Sequence, residues 1–168
     1  AEAARLLQKE MEIAKEVQQR LFPQSPEPIP GLDYAAYCRP AKTVGGDYYD
    51  IVNVSDDEVG VLIADVSGHG APSAIVMAMI RALFHAFPGS AADPVEVLQF
   101  MNRQFRFMWG SSMLATALYC VVNRRSLQMR AACCEHLPPL LMRKANVQSL
   151  DLESSPPLLL MDLESIPR

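Results

Sequence analysis

The run VGVLIADV at 59–66, apolar but for one aspartate, constrains the fold more than any other stretch of the chain. It is too short for an ordinary helix. Turn residues bound it on both sides, Ser55-Asp56-Asp57 before it and Ser67-Gly68-His69-Gly70 after it. A β-strand over 58–66 satisfies both facts, and its near-continuous apolar character predicts burial on both faces. Residues 47–54, just ahead of the short turn, form a partner strand, so the two make a hairpin. The fold is therefore built around a sheet that contains this hairpin.

The flanking segments define its class. Residues 2–22 read as a helix, with Leu7, Met11, Ala14 and Leu21 on one stripe and Gln18 interrupting it. Two readings stand for it. It is a helix packed on its own domain, or a signalling helix that arrives from an upstream sensor domain and pairs with a second copy. PQSPEPIPG at 23–31 is an extended connector, because four prolines remove the donors a helix needs. Residues 32–39 read as a strand. Pro72 suits a first helical turn, and 74–87 continues without a breaker until Pro88-Gly89; it is apolar almost all round, which predicts deep burial. Asp93 as N-cap, Pro94 in the first turn and Glu96 at the capping-box position open another helix, which runs to Trp109 and ends at Gly110. Met101, Phe105 and Met108 give it an apolar, core-facing stripe. Segments 113–122, 126–134, 139–143 and 147–152 are β-like. This order predicts an α+β fold of antiparallel sheets with helices packed outside, not a doubly wound parallel sheet.

Composition excludes several functions. The chain has 168 residues, half of them apolar and a fifth charged, which suits one folded domain. Fifteen basic against nineteen acidic residues leave a formal charge of −4, without the basic face that nucleic acid requires. No apolar run is long enough to span a bilayer. Four cysteines without a C-x-x-C spacing give no zinc-ribbon or thioredoxin motif, and reduced thiols in a cytoplasmic protein account for them. The chain opens at Ala1 and is helix-like at once, so a piece of a longer protein is expected.

The chemistry concentrates in 43–70. Gly45-Gly46-Asp47 stands where one hairpin strand begins, and Asp65-Val66-Ser67-Gly68 where its partner ends. An antiparallel pair brings those positions to the same end. Two carboxylates there repel unless a cation lies between them, and hard oxygen donors suit Mg²⁺ or Mn²⁺. Ordinary turns carrying solvated aspartates would look the same on spacing alone.

The wording VGGDYYD followed by ADVSGHG resembles the PPM-type, metal-dependent Ser/Thr protein phosphatases, and more narrowly their SpoIIE/RsbU branch, which acts on regulators of alternative sigma factors. AKEVQQRLFP is similar to that branch's N-terminal linker helix, SSMLATALYCVV to its strand after the helical pair, and HLPPLLMR to its Gly-His-Pro-Pro stretch. The resemblance implies an α-β-β-α sandwich of two antiparallel sheets flanked by helices. It divides the chain into a linker helix (1–22) and a phosphatase domain (23–168) lacking its C-terminal strands. It implies Mn²⁺ or Mg²⁺, two ions in the family, with Asp65 as the bridging ligand, Asp47 as a ligand of one ion and Val66 giving its backbone carbonyl. The substrate would be a phosphorylated STAS-type anti-anti-sigma protein.

Other residues carry weaker expectations: Asp50 a turn or supporting role rather than direct ligation, His69 a structural or helix-start role rather than that of an acid or phosphate contact, Arg39 a solvated surface rather than a contact to an anionic phosphoprotein, His136 packing by default, and His85 a satisfied core or edge position. Two departures from the branch stand out. Glu135 occupies the place of a small glycine before the histidine. The later aspartate-bearing turn and strand of the family have no counterpart, and Asp151 and Asp162 match no motif. A catalytically impaired, pseudophosphatase-like module that binds the same kind of partner is therefore the alternative to an active hydrolase.

Overall fold

The computed structural model describes residues 2–24, 28–109, 113–159 and 166. Helix α1 covers Glu2–Gln19. Strands β1 (Tyr48–Asn53) and β2 (Glu58–Val66) form the expected hairpin. Helices α2 (Ala71–His85) and α3 (Pro94–Trp109) follow, then β3 (Ala115–Asn123), β4 (Gln128–Cys134), β5 (Leu140–Arg143), β6 (Asn146–Ser149) and β7 (Ser154–Ser155). The main sheet has the order β1-β2-β3-β4-β7; β5 and β6 form a separate two-stranded sheet. The first four strands pair antiparallel, so the fold is α+β as the element order implies.

Side-chain alternation sorts the main sheet into two faces. Tyr48, Leu62, Ala64, Val66, Ala117, Tyr119, Val121 and Cys134 join one core with Val76, Met77 and Ile80 of α2 and Leu98, Met101 and Phe105 of α3. Met77, Ile80, Leu98, Met101 and Phe105 have no exposed surface, each stabilising the fold by about 1.5–3 kcal/mol. Gly60 is needed here: a Cβ on it would stand 2.2 Å from the Tyr119 hydroxyl, which donates to the Ala91 carbonyl at 2.7 Å. The opposite face carries Leu118, Cys120 and Cys133 in a smaller cluster.

The helix signals hold. Pro72 lies in the first turn of α2, as its place in the sequence predicts, and the helix ends at His85, two residues short of the expected 87. Asp93 Oδ1 accepts from the Val95 and Glu96 amides at 2.9 and 3.4 Å, capping α3. The Met108 side chain and Gly110 lie outside the described residues.

Four expectations need correction. Residues 33–40 belong to no β-ladder among the described residues, and an isolated Ile29–Leu32 bridge precedes them; no described strand runs alongside their backbone. Strand β2 is buried on one face, where Leu62 and Ala64 are 0% and 1% exposed; on the other face Val59 is buried but Ile63 is 41% exposed. Around Ile63 the second face meets residues 34–39 across a cavity instead of a packed layer. The β-like stretch 147–152 pairs only as far as Ser149, and β7, which adds to β4 in parallel, is a strand the sequence pattern did not suggest. Finally, α1 packs only at its end: Leu6, Leu7, Ile13 and Val17 are more than half exposed, and Gln18 is its one buried residue among those described.

Candidate metal centre and cavity

The last ladder pair at the open end of the hairpin is Tyr48↔Ala64. One step further the same register sets Asp47 opposite Asp65, and the next sets Gly46 opposite Val66, where the Val66 amide donates to the Gly46 carbonyl at 3.4 Å. Asp47 and Asp65 thus face each other as a cross-strand pair, with their carboxyls within hydrogen-bonding reach. Partial burial raises the Asp65 pKa, and the negative charge of Asp47 and the carboxyl–carboxyl hydrogen bond raise it further.

Both acids line a cavity of about 550 Å³ between the sheet and residues 34–39. Its walls are Tyr34, Cys38, Tyr49, Ile51, Val61 and Ile63, with Arg39, His136 and Leu137 around them. Burial pushes the Cys38 thiol up, and Asp47 adds to that, so Cys38 stays a neutral thiol.

His136 is the residue that sequence reasoning assigned only to packing. Thr116 is the register partner of Asp65 on β3, and its Oγ1 lies 2.8 Å from His136 Nδ1. A parallel bridge, Ala117–Glu135, carries the histidine to this end of the sheet. Burial lowers the His136 pKa, opposed by the charge of Asp47, so the ring is neutral at neutral pH. A neutral imidazole on the cavity wall can accept a hydrogen bond or a proton. Its signal in the sequence was the HLPP stretch; its proximity to Asp47 depended on a strand crossing that spacing does not reveal. Glu135 holds φ 51°, a left-handed conformation that suits the glycine it replaces, and its amide donates to Ser154 Oγ at 2.8 Å.

Asp50 lies on the other face of β1. It is buried, accepts from the Tyr48 hydroxyl and from the Ile51 amide at 2.9 Å, and pairs with His85 Nε2 of α2 at 2.6 Å. It stands three positions on from Asp47, an odd offset that puts the two carboxylates on opposite faces of the strand, so they cannot share a ligand. His69 is exposed ahead of α2, 3.1 Å from Lys42 Nζ, and Arg39 is an exposed residue of the cavity wall.

The two opposed carboxylates suit a hard divalent cation, and the Val66 carbonyl lies against Gly46 next to them in the chain. A Cβ on Gly46 would stand 2.7 Å from the Val66 carbonyl oxygen and 3.1 Å from Ser73 Cβ. Among the described residues no group of three or more His, Cys, Asp or Glu side chains is arranged to hold a metal. No described helix is long and apolar enough to cross a membrane.

This architecture is that of PP2C-type domains. The SiaA-PP2C domain of Pseudomonas aeruginosa superposes with a TM-score of 0.80 at 22% identity, over 93% of this chain and 64% of that one. The family is defined by sequence: the family model described as Stage II sporulation protein E (SpoIIE) matches residues 55–167, and the chain belongs to that family. It is 32% identical over 148 residues to the phosphoserine phosphatase RsbU of Bacillus subtilis (strain 168), covering 88% of this chain and 44% of RsbU. It is 25% identical over 163 residues to the phosphoserine phosphatase RsbP of the same organism, covering 93% and 40%. The chain therefore spans less than half the length of these two curated relatives.

Proposed function

We propose that the chain is the core of a metal-dependent protein serine/threonine phosphatase that acts on a phosphorylated STAS-type regulator. Residues 23–168 serve as the phosphatase domain and 1–22 as the linker from an upstream sensor domain. The observation that supports this reading is the convergence of Asp47 and Asp65 on a cavity wall at the open end of the β1–β2 hairpin. The names of RsbU and RsbP support the reaction class.

Asp47, Asp65 and the Val66 carbonyl are the residues that would hold Mn²⁺ or Mg²⁺. Bound there, the ion would acidify water and offset charge on phosphoryl oxygens. The chain's own contribution is positional. Asp47 and Asp65 concentrate negative charge that attracts the cation. Thr116 orients the His136 ring, which is free to take up a proton at the cavity. Tyr34, Ile51 and Ile63 give the site an apolar wall beside the two exposed acids. The exposed stripe of α1 (Leu6, Leu7, Ile13, Val17) is suited to pairing with a second copy.

A second reading, a pseudophosphatase-like module that grips the same partner without hydrolysis, is favoured by the two acids that meet at the site among the described residues. The test is Mn²⁺-dependent phosphate release from a phosphorylated STAS-domain protein, by this chain and by the full-length protein. Release that Asp65→Asn abolishes supports the enzyme. Binding without release in both rejects it.

A further inference from the structure

Gln18 is 6% exposed in a helix whose other described residues are solvated or half-buried. A buried primary amide needs partners for both its ends. It finds them on one residue, 27 positions away: Nε2 donates to the Gly45 carbonyl at 2.8 Å, and the Gly45 amide donates to Oε1 at 3.1 Å. The side chain thus pairs with Gly45 much as a neighbouring strand would. Gly45 leads into Gly46, which lies against the Val66 carbonyl, and then into Asp47.

The end of α1 is fixed to the domain at two further points. Arg81 Nε donates to the Leu21 carbonyl at 2.6 Å, and the Phe22 ring lies 5.9 Å and 5.2 Å from those of Tyr48 and Tyr49. Asp47 lies beyond the last ladder pair and faces a like charge that pushes it away. The turn before it must be held from elsewhere for the carboxyl pair to persist.

We infer that Gln18 is a positioning residue for the cation pair: its double hydrogen bond to Gly45 sets the turn that presents Asp47 to Asp65, and so raises divalent-cation affinity. The inference rests on Asp47 and Asp65 being the cation pair, and its test separates the two ideas. The probe is Mn²⁺ alone, added to the full chain. Gln18→Leu keeps the volume and removes both hydrogen bonds. It is expected to let the Gly45 amide exchange roughly tenfold faster and to weaken Mn²⁺ binding roughly tenfold, the equivalent of about one net hydrogen bond. Leu21→Ala loosens the same end of α1 without touching Gly45; its melting temperature falls and its Mn²⁺ affinity stays. If Gln18→Leu does not fold, Gln18→Glu serves: it keeps the acceptor but turns a carboxylate toward the Gly45 carbonyl, and a loss of Mn²⁺ affinity is again expected.

Unchanged Mn²⁺ affinity with an equally protected Gly45 amide in the folded Gln18 variant overturns the inference. So does an equal loss of affinity in Leu21→Ala, which would make the effect one of general stability. If wild type and Asp65→Asn bind Mn²⁺ alike, the cation reading falls by itself. The Gly45 exchange rate and the Asp47 backbone resonances then decide the positioning role: altered in Gln18→Leu, it stands; unaltered, it falls.

Discussion

Asp65→Asn is expected to stabilise the protein at neutral pH in the presence of a chelator. The substitution keeps the shape of the side chain and its capacity to hydrogen-bond Asp47, and removes one of two facing charges. Opposed cross-strand side chains stand about 5 Å apart. With an effective dielectric of about 40 to 80, as suits an exposed pair, the repulsion is about 1 to 1.5 kcal/mol, less at high salt. For a domain of this size that is a rise of about 2–6 °C in melting temperature. The pH dependence has a definite sign. The folded-state pKa of Asp65 is raised above its unfolded value, so the native state holds the proton more tightly. Wild-type stability therefore falls as pH rises from the ordinary aspartate range through the raised value. The gain from asparagine is full above that window and absent below it. Urea or thermal unfolding of both proteins, at neutral pH and near the ordinary aspartate pKa, with low and high salt, measures it. A loss of stability at neutral pH, or a gain undiminished by acid, would refute the reasoning. Adding Mn²⁺ should reverse the ranking, because only wild type keeps both carboxylates for the ion.

Two further outcomes follow from the geometry. Glu135→Gly should raise stability by about 1 kcal/mol, since a left-handed backbone strains any side chain and glycine least; a loss in chemical denaturation would mean that the Glu135 side chain supports the loop. His85→Ala should lower stability by about 1–3 kcal/mol in urea unfolding, because the buried Asp50 carboxylate loses its 2.6 Å partner, and cation affinity should be untouched because Asp50 is on the opposite face.

The parts of this structure that were legible in the sequence are those fixed by local chemistry. Asp93 and Pro94 announce α3, Pro72 announces α2, and the eighteen-residue gap between Asp47 and Asp65 is what a hairpin of this length needs to set them opposite each other. What was illegible depends on distant partners. The extended run at 33–40 has strand-like residues, but a β-ladder requires a neighbouring strand, and none of the described strands runs beside it. Ile63 is as apolar as Leu62, yet one faces a cavity and the other two helices. His136 reaches the acid pair through a bridge between β3 and the end of β4, and Gln18 finds Gly45 only after the connector folds back. In the sequence Gln18 is merely a break in a stripe.

Strand β1 keeps two charged arrangements apart by parity alone: Asp47 belongs to the cavity side, and Asp50 to the side where Tyr48 and His85 enclose it. A change of length is therefore more severe here than any substitution. Adding or deleting one residue between these two aspartates would put both on a single side. Either the enclosed acid would spill into the cavity and leave His85 unmatched, or the solvent-facing acid would be driven under α2 with no base to receive it. The spacing of the two aspartates is thus an odd-number rule that indel variants, not point mutants, would expose.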